Sequence, residues 1–348
     1  SLRDPQRRVR VAAKFLIYRA MEDEIMVKNV SNIVDYIEHF YHPSNSGSFS
    51  GNLAAFVRFL IKYVSKFMGY GDRTTDEATL RNLVETLKRM TDRAVFSKGS
   101  ELRRVAMVGI SRLAYMCPEM ILPGVMNRFE EALTHETATR QLVPALNCLT
   151  VCVRPMLMLP LNTVFEEHDG ESYANVNDFL AAAMDAALPG IDVNDSSKTC
   201  ATLRFFCLVI SNLPRLVDVG ESGAVSKVPI MWSEWTVQFL TKLFSVFEHL
   251  QPDAHGSKSE AADAFKGGNR DASGFLLSSS SMFPPLIHLL FARLDPPVRK
   301  MAVSRVCAFL RENTLPEIVD EVGVLLEAVL ISEPEQAIRE IIHPSIAA

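Results

Sequence analysis

Apolar residues recur along this 348-residue chain at a helical period almost throughout, and that regularity limits the folds open to it. Phe49, Leu53, Phe56, Val57, Leu60, Val64 and Phe67 share one broad face, because side chains three and four residues apart line up along an α-helix. The spacing predicts a helix of about five turns there. A second helix is predicted from about Leu102 to Met116, with Leu102, Val105, Ala106, Gly109 and Leu113 facing inward. Pro118 stops it, since proline has no amide hydrogen and clashes with the preceding turn. A partner follows at once in EMILPGVMNRFEEAL, with Pro123 near its first turns. No segment alternates convincingly between apolar and polar residues, so no strand is expected. Such a chain must bury helix stripe against helix stripe, and the expected class is all-α.

The helices come in pairs joined by short turns. SELRRVAMVGISRLAYMCPEMILPGVMNRFEEAL forms one unit. ATRQLVPALNCLTVCVRPML with SYANVNDFLAAAMDAALPG forms a second, and SSKTCATLRFFCLVISNLPRL with MWSEWTVQFLTKLFSVFEHL a third. The fourth, LDPPVRKMAVSRVCAFLRENTLPEIVDEVGVLLEAVL, opens on Asp-Pro-Pro-Val-Arg before an Ala/Val-rich helix and resembles the first helix of a HEAT repeat. Asp295 suits the helix cap and Pro296 the first helical position. At about 40–47 residues per unit, roughly seven would fit. Stacked neighbours bury the apolar face that each pair leaves open, so residues 1–348 are expected to form one α-solenoid segment of HEAT/armadillo-like helix pairs. Two connections break the rhythm: 216–230, and the polar stretch 251–281, expected to be a mobile insertion.

The net charge of −5 leaves no bulk footprint for nucleic acid, and no direct DNA binding is expected. Cys117, Cys148, Cys152, Cys200, Cys207 and Cys307 all lie in apolar helical text without CxxC spacing, as reduced, packed thiols do. Residues 142–165 are the most membrane-like, but Asn147, Arg154 and three prolines interrupt them. They read as a core helix with its exit loop, and no membrane association is expected. The opening SLRDPQRRVR has neither an initiator Met nor an apolar signal segment and reads as an internal piece of a longer protein.

Catalytic patterns find little support. Gly47 and Gly51 in SGSFSG lack the preceding strand and following Gly-Lys-Ser/Thr of a phosphate loop. His39 and His42 have no cysteine nearby and no HExxH context, so no metal site is expected. Glu166, Glu167, His168, Asp169 and Glu171 are the densest acidic cluster. Held in a dry cleft they would suit acid–base work, and a helical hydrolase would use them; as loop text they read as a solvated connection. Cys148/Cys152 and Cys200/Cys207 each share a helix face and read as core. The chain is expected not to be an enzyme. Arg58, Lys62 and Lys66 make a basic stripe opposite the apolar face, suited to a polyanion or an acidic partner. Arg3, Arg7, Arg8 and Arg10 form a similar cluster.

Two turns carry a more specific likeness. Tyr41, His42, Pro43, Ser44, Asn45 and Gly47 match Tyr-His-Pro-Ser-Asn-x-Gly-Arg-Trp, with Ser48 and Phe49 in place of the last two residues. Leu188, Pro189, Gly190, Asp192, Asn194, Asp195, Ser197 and Lys198 match Leu-Pro-Gly-aliphatic-Asp-Pro-Asn-Asp followed by Ser-Lys, with Val193 where proline is common. Both resemble stretches of the proteasome activator complex subunit 4 family, large single-chain HEAT-repeat activators. VFSKGSELRR, CPEMILPGVMNRFEEALT and RQLVPALNCL resemble the same family in the same order, from 41 to about 215. Beyond that the likeness thins to general HEAT character.

The resemblance implies a non-catalytic stretch of the wall of a hollow dome. The whole protein would cap the α-ring of the proteasome core, open its gate and promote ubiquitin-independent degradation of peptides and unfolded proteins. It implies a nuclear and cytoplasmic protein, a link to DNA repair, and acetylated histones as partners. It implies no cofactor beyond inositol phosphate, on residues it does not identify. Family members dock through a C-terminal hydrophobic-Tyr-x tail, and this chain ends HPSIAA. An N-terminal-half fragment is expected. The alternative reading is a HEAT scaffold of another kind, a nuclear transport receptor or adaptor, binding partners on its concave surface.

Overall fold

A computed structural model describes residues 34–35, 51, 54, 57–58, 61, 77–97, 99–134, 139–160, 163, 175–193, 195–218, 228, 230–249, 283–313 and 319–341. The chain is all-α: among the described residues no strand is longer than one isolated bridge. Contacts divide it into two compact units, Ser1–Met158 and Leu159–Ala348.

The first unit contains α1 (Glu77–Ala94), α2 (Ser100–Met116), α3 (Pro118–Thr134) and α4 (Thr139–Met158). Gly51, Ala54, Val57, Arg58 and Ile61 are also helical, inside the segment predicted at 49–67. Ala54, Val57 and Ile61 are buried there, and of these only Val57 belongs to the predicted stripe. Helix α2 ends where Pro118 requires, with Cys117 as C-cap and Pro118 opening α3. Gly109 lets α2 come close to both its neighbours. A Cβ there would lie 2.8 Å from Ile61 Cδ1 and 2.9 Å from Thr91 Cγ2.

Helix α4 packs on α3 and on α2, although the sequence had grouped it with the helix that follows. Prolines 144 and 155 lie inside it. Pro155 has no amide to donate to the carbonyl of Val151, four residues back. Ser111 Oγ of α2 donates to that carbonyl at 2.9 Å, so a gap in one helix becomes a tie to another. Gln141–Met158 is long and apolar enough to cross a bilayer by length and composition, yet 56% of it is buried inside the protein. Its apolar surface is largely occupied by helix packing.

The second unit contains α5 (Val176–Ala186), a 3₁₀ turn (Leu188–Gly190), α6 (Ser196–Asn212), α7 (Trp232–His249), α8 (Phe283–Arg293), α9 (Pro296–Glu312), α10 (Val319–Ser332) and α11 (Pro334–Ile341). Helix α6 packs on α8 and α8 on α10, while α7 packs on α9 and α9 on α11. This next-but-one pattern builds two layers, as helix pairs do when they stack in a solenoid. Helices α8 and α11 extend the sequence reading, which had left both outside its pairs. Aromatic side chains join the layers. Phe206 of α6 meets Trp235 and Phe239 of α7 edge-on at 5.0 and 6.1 Å, and Trp235 stacks on Phe239 at 5.2 Å.

The last helix is attached differently. Ala337 is the buried residue of α11, and polar side chains tie this end of the chain to α9. Arg299 pairs with Glu333 at 2.9 Å, Gln336 Nε2 donates to the Lys300 carbonyl at 3.0 Å, and Ser304 Oγ donates to Glu340 at 2.9 Å.

Asp295 occupies the expected cap position of α9, with Pro296 first in the helix, but its side chain makes no cap hydrogen bond. Its carboxylate pairs with Arg215 instead. Around them Leu216 and Leu294 form a parallel bridge, with Leu216 N donating to the Arg293 carbonyl at 2.9 Å and Asp295 N to the Leu216 carbonyl at 3.0 Å. The connection predicted to lack periodicity is thus pinned at its start. Asp218, two residues on, accepts from Ser233 N at 3.1 Å and so caps α7 from a distance. The 251–281 segment lies outside the described residues.

Candidate functional site

The turn at 188–198 shows why those residue types stand together. Helix α5 starts on Asn175, whose side chain accepts from Asn177 N and Asp178 N, both at 2.9 Å. It ends at Ala186, and Leu188, Pro189 and Gly190 tighten into the 3₁₀ turn, with Pro189 preset for its φ. Gly190 faces Thr202 of α6 so closely that a Cβ would lie 2.2 Å from Thr202 Oγ1 and 3.2 Å from its Cβ. Asp195 then caps α6, accepting from Lys198 N at 2.9 Å. Thr199 Oγ1, fully buried, accepts from Asp192 N at 2.9 Å and donates to the Asp192 carbonyl at 2.7 Å. Lys198 Nζ lies 3.6 Å from the Asp192 carboxylate. Asn194 lies outside the described residues. The stretch is a structural elbow that locks α5 to α6. Gly190→Ala is expected to lower stability by about 2 kcal/mol, because rotating Thr202 merely exchanges one buried atom for another in the same space. A urea titration of both proteins checks this.

Arg58 is the described member of the predicted basic stripe; Lys62 and Lys66 lie outside the described residues. Arg58 reaches across to α2, where Glu101 accepts from it. Glu101 also receives Arg104 through two bonds, Nε at 3.0 Å and Nη2 at 2.9 Å. The Arg104 hydrogen bond leads in holding the Glu101 carboxyl below its ordinary range; desolvation opposes it, and the charges of Arg104 and Arg58 add to the lowering. Beside this clamp is a cleft of about 160 Å³, lined among the described residues by Arg58, Ile61, Arg104, Val105, Val108 and Arg112. Sequence reasoning chose Arg58 but missed its companions on α2. The signal was available in RRVAMVGISR, where Arg104, Val108 and Arg112 follow one another at steps of four.

The cysteines behave as packing residues. Five of the six are buried and Cys200 is half-buried, all as free thiols. Burial pushes Cys148 up to about 11, against the pull of Arg128, whose Nη1 lies 3.9 Å away. Burial raises Cys152 and Cys207 as well, and takes Cys307 to about 11. Thiols held this high supply little thiolate near neutral pH and make poor nucleophiles. Arg128 is itself held by Asp92 at 3.0 Å and lies over the Phe96 ring.

Glu321, in the first turn of α10, was not singled out from sequence. It is fully buried, and among the described residues no other side chain or backbone group hydrogen-bonds its carboxylate oxygens. Burial pushes its carboxyl up to about 7, its own backbone amide opposes this, and the charge of neighbouring Asp320 adds a little to the rise. Its position on the inner face of an apolar helix was the available signal.

Tyr41, His42, Pro43, Ser44, Asn45 and Gly47, with His39, the Arg3–Arg10 cluster and the 166–171 cluster, lie outside the described residues. Among the described residues no group of three or more His, Cys, Asp or Glu side chains is placed to hold a metal ion.

Residues 30–232 match the family model described as "Proteasome activator complex subunit 4, mid HEAT repeats region". The chain belongs to the proteasome activator complex subunit 4 family. A relative from Arabidopsis thaliana, "Proteasome activator subunit 4", is 26% identical over 346 residues, covering 97% of this chain and 19% of the relative. "Proteasome activator complex subunit 4" of Xenopus laevis is 26% identical over 246 residues, covering 64% of this chain and 13% of the relative. The Homo sapiens protein of the same name is 25% identical over 251 residues, covering 65% and 13%. The chain therefore spans a fifth or less of the length of these relatives. The Arabidopsis alignment also carries the likeness to this family past residue 215, where the motifs had thinned to general HEAT character.

Proposed function

We propose that the chain is a stretch of wall in a proteasome activator and acts as a shaped surface, without catalysing a reaction of its own. The observation that carries this reading is the alignment of 97% of the chain with a proteasome activator subunit. The helices stacked in two layers within the second unit are in keeping with such a wall. In the whole protein this wall would stand over the α-ring of the proteasome core, promote gate opening, and favour ubiquitin-independent breakdown of peptides and unfolded proteins. On family resemblance alone we extend the proposal to nuclear and cytoplasmic residence, a link to DNA repair, and binding of acetylated histones and inositol phosphate.

The test uses the full-length protein with purified proteasome core particles. Co-sedimentation and faster cleavage of a fluorogenic peptide are expected. A full-length protein that neither co-sediments nor accelerates cleavage refutes the reading.

A further inference from the structure

Helix α10 is aliphatic on more than one side. Glu321, Leu325, Ala328 and Val329 are its buried residues. Val319, Gly323, Leu326 and Leu330 follow one another at steps of four, three and four, and so form a separate stripe along the helix. That stripe is open: Val319 is 60% exposed, Leu326 36% and Leu330 37%. Its four residues carry no charge over about three turns. Helix α11 repeats the arrangement. Gln336 and Glu340 reach α9, at the Lys300 carbonyl and Ser304 Oγ. Ile338, two residues from each, lies round the opposite side of α11 and is 46% exposed.

Gly323 adds a separate observation. Glycine inside a helix costs stability against alanine and is kept where a neighbour comes close. The side chains of Ile61 and Thr91 crowd the place of a Cβ at Gly109, and Thr202 crowds it at Gly190. At Gly323 nothing lies within 4 Å of that place. Helices α8, α9 and α11, on which α10 packs, therefore do not account for the glycine.

The packing of the second unit shows what element fits. Helices α6, α8 and α10 follow one another in one layer, and α7, α9 and α11 in the other. A helix laid on the α10 stripe, with a second against Ile338, would continue both layers by the same rule. The Arabidopsis relative, of which this chain covers 19%, has polypeptide enough to supply such a pair.

We propose that Val319, Gly323, Leu326, Leu330 and Ile338 form the docking face for a further helix pair of the same polypeptide, whose first helix comes closest at Gly323. The proposal rests on reading the chain as a stretch of a longer wall.

The test labels Leu326→Cys with a maleimide in the full-length protein and in the 348-residue chain, and reads the site by peptide mass spectrometry. Labelling at position 326 is expected to be at least about tenfold slower in the folded full-length protein, whatever the concentration of the shorter chain. Ile338→Cys gives the same reading from α11 should the first substitution loosen the seam. Gly323→Ala should raise the urea midpoint of the 348-residue chain, where the methyl group enters open space and alanine favours the helix. In the full-length protein it should instead speed hydrogen exchange across α10, because the methyl group pushes the docked helix away. Equal labelling in the two proteins overturns the proposal. So does protection in the 348-residue chain that grows with its concentration, which would make the occupant a second copy. Stabilisation by Gly323→Ala in both proteins would overturn the close approach. A full-length protein that shields position 326 yet ignores the core particle upholds the docking face and refutes only the proteasome reading.

Discussion

Trp235→Ala is expected to remove about 4 kcal/mol from the stability of the second unit, the largest loss foreseen for any single side chain here. Trp235 is 1% exposed and stands at the centre of the aromatic cluster, stacked on Phe239 and edge-on to Phe206 and Trp232. Its indole Nε1 also donates to the Met184 carbonyl at 3.3 Å. That carbonyl belongs to the last turn of α5, where the helix supplies no further amide. Alanine would therefore open a cavity between α6 and α7 and orphan a carbonyl at the α5 elbow. Trp235→Phe separates the two effects. It keeps most of the ring contact and loses the hydrogen bond, for about 1–2 kcal/mol. Because the protein's two tryptophans, 232 and 235, both lie in α7, the fluorescence of Trp232 still reports urea unfolding of this unit in either variant. An alanine variant that unfolds at the wild-type midpoint would show that the cluster does not hold these layers together.

Glu321→Gln is expected to stabilise the protein at pH 8 and to leave it little changed at pH 5. The folded state raises this carboxyl from 4.5 to about 7 by burial, so the fold favours the protonated form. The contribution of the protonated group is fully present below about 4.5 and is lost as the pH rises through about 7. The difference corresponds to about 3 kcal/mol at full ionisation. Glutamine cannot ionise and removes this dependence, although its buried amide keeps part of the cost of an unpartnered polar group. Urea midpoints at the two pH values measure the effect. If wild type and variant change in parallel between pH 5 and pH 8, Glu321 does not titrate inside the fold.

The all-α class and the helices at 102–116 and 118–134 were legible because apolar period and proline position act locally. The Leu-Pro-Gly turn was legible as a family likeness, but not as a device. Its reason is Thr202, twelve residues on, packed where a Cβ would have to be. Asp295 shows the converse. Position and residue type made it a helix cap, and Arg215, 80 residues away, takes its carboxylate. The basic stripe was read along a single helix, while the cleft that contains Arg58 draws its other arginines from α2. Helix pairing failed for a related reason. Chain order groups α4 with the helix after it, whereas the fold packs it on α2 and α3. Periodicity tells which side of a helix is covered and not which helix covers it.

The polar seam of α11 bears on how the second unit comes apart. Helices α6 to α10 are anchored by side chains that water cannot replace, whereas α11 holds on through groups that water serves almost as well, Arg299 with Glu333 and Gln336 with Lys300. Ala337 is the one fully buried residue in α11, so releasing this helix is expected to cost less than parting the apolar layers. Its amides would exchange with solvent long before those of α9. Detachment of α11 would respond to salt, which screens the Arg299–Glu333 pair, and the melting of the other helices to temperature.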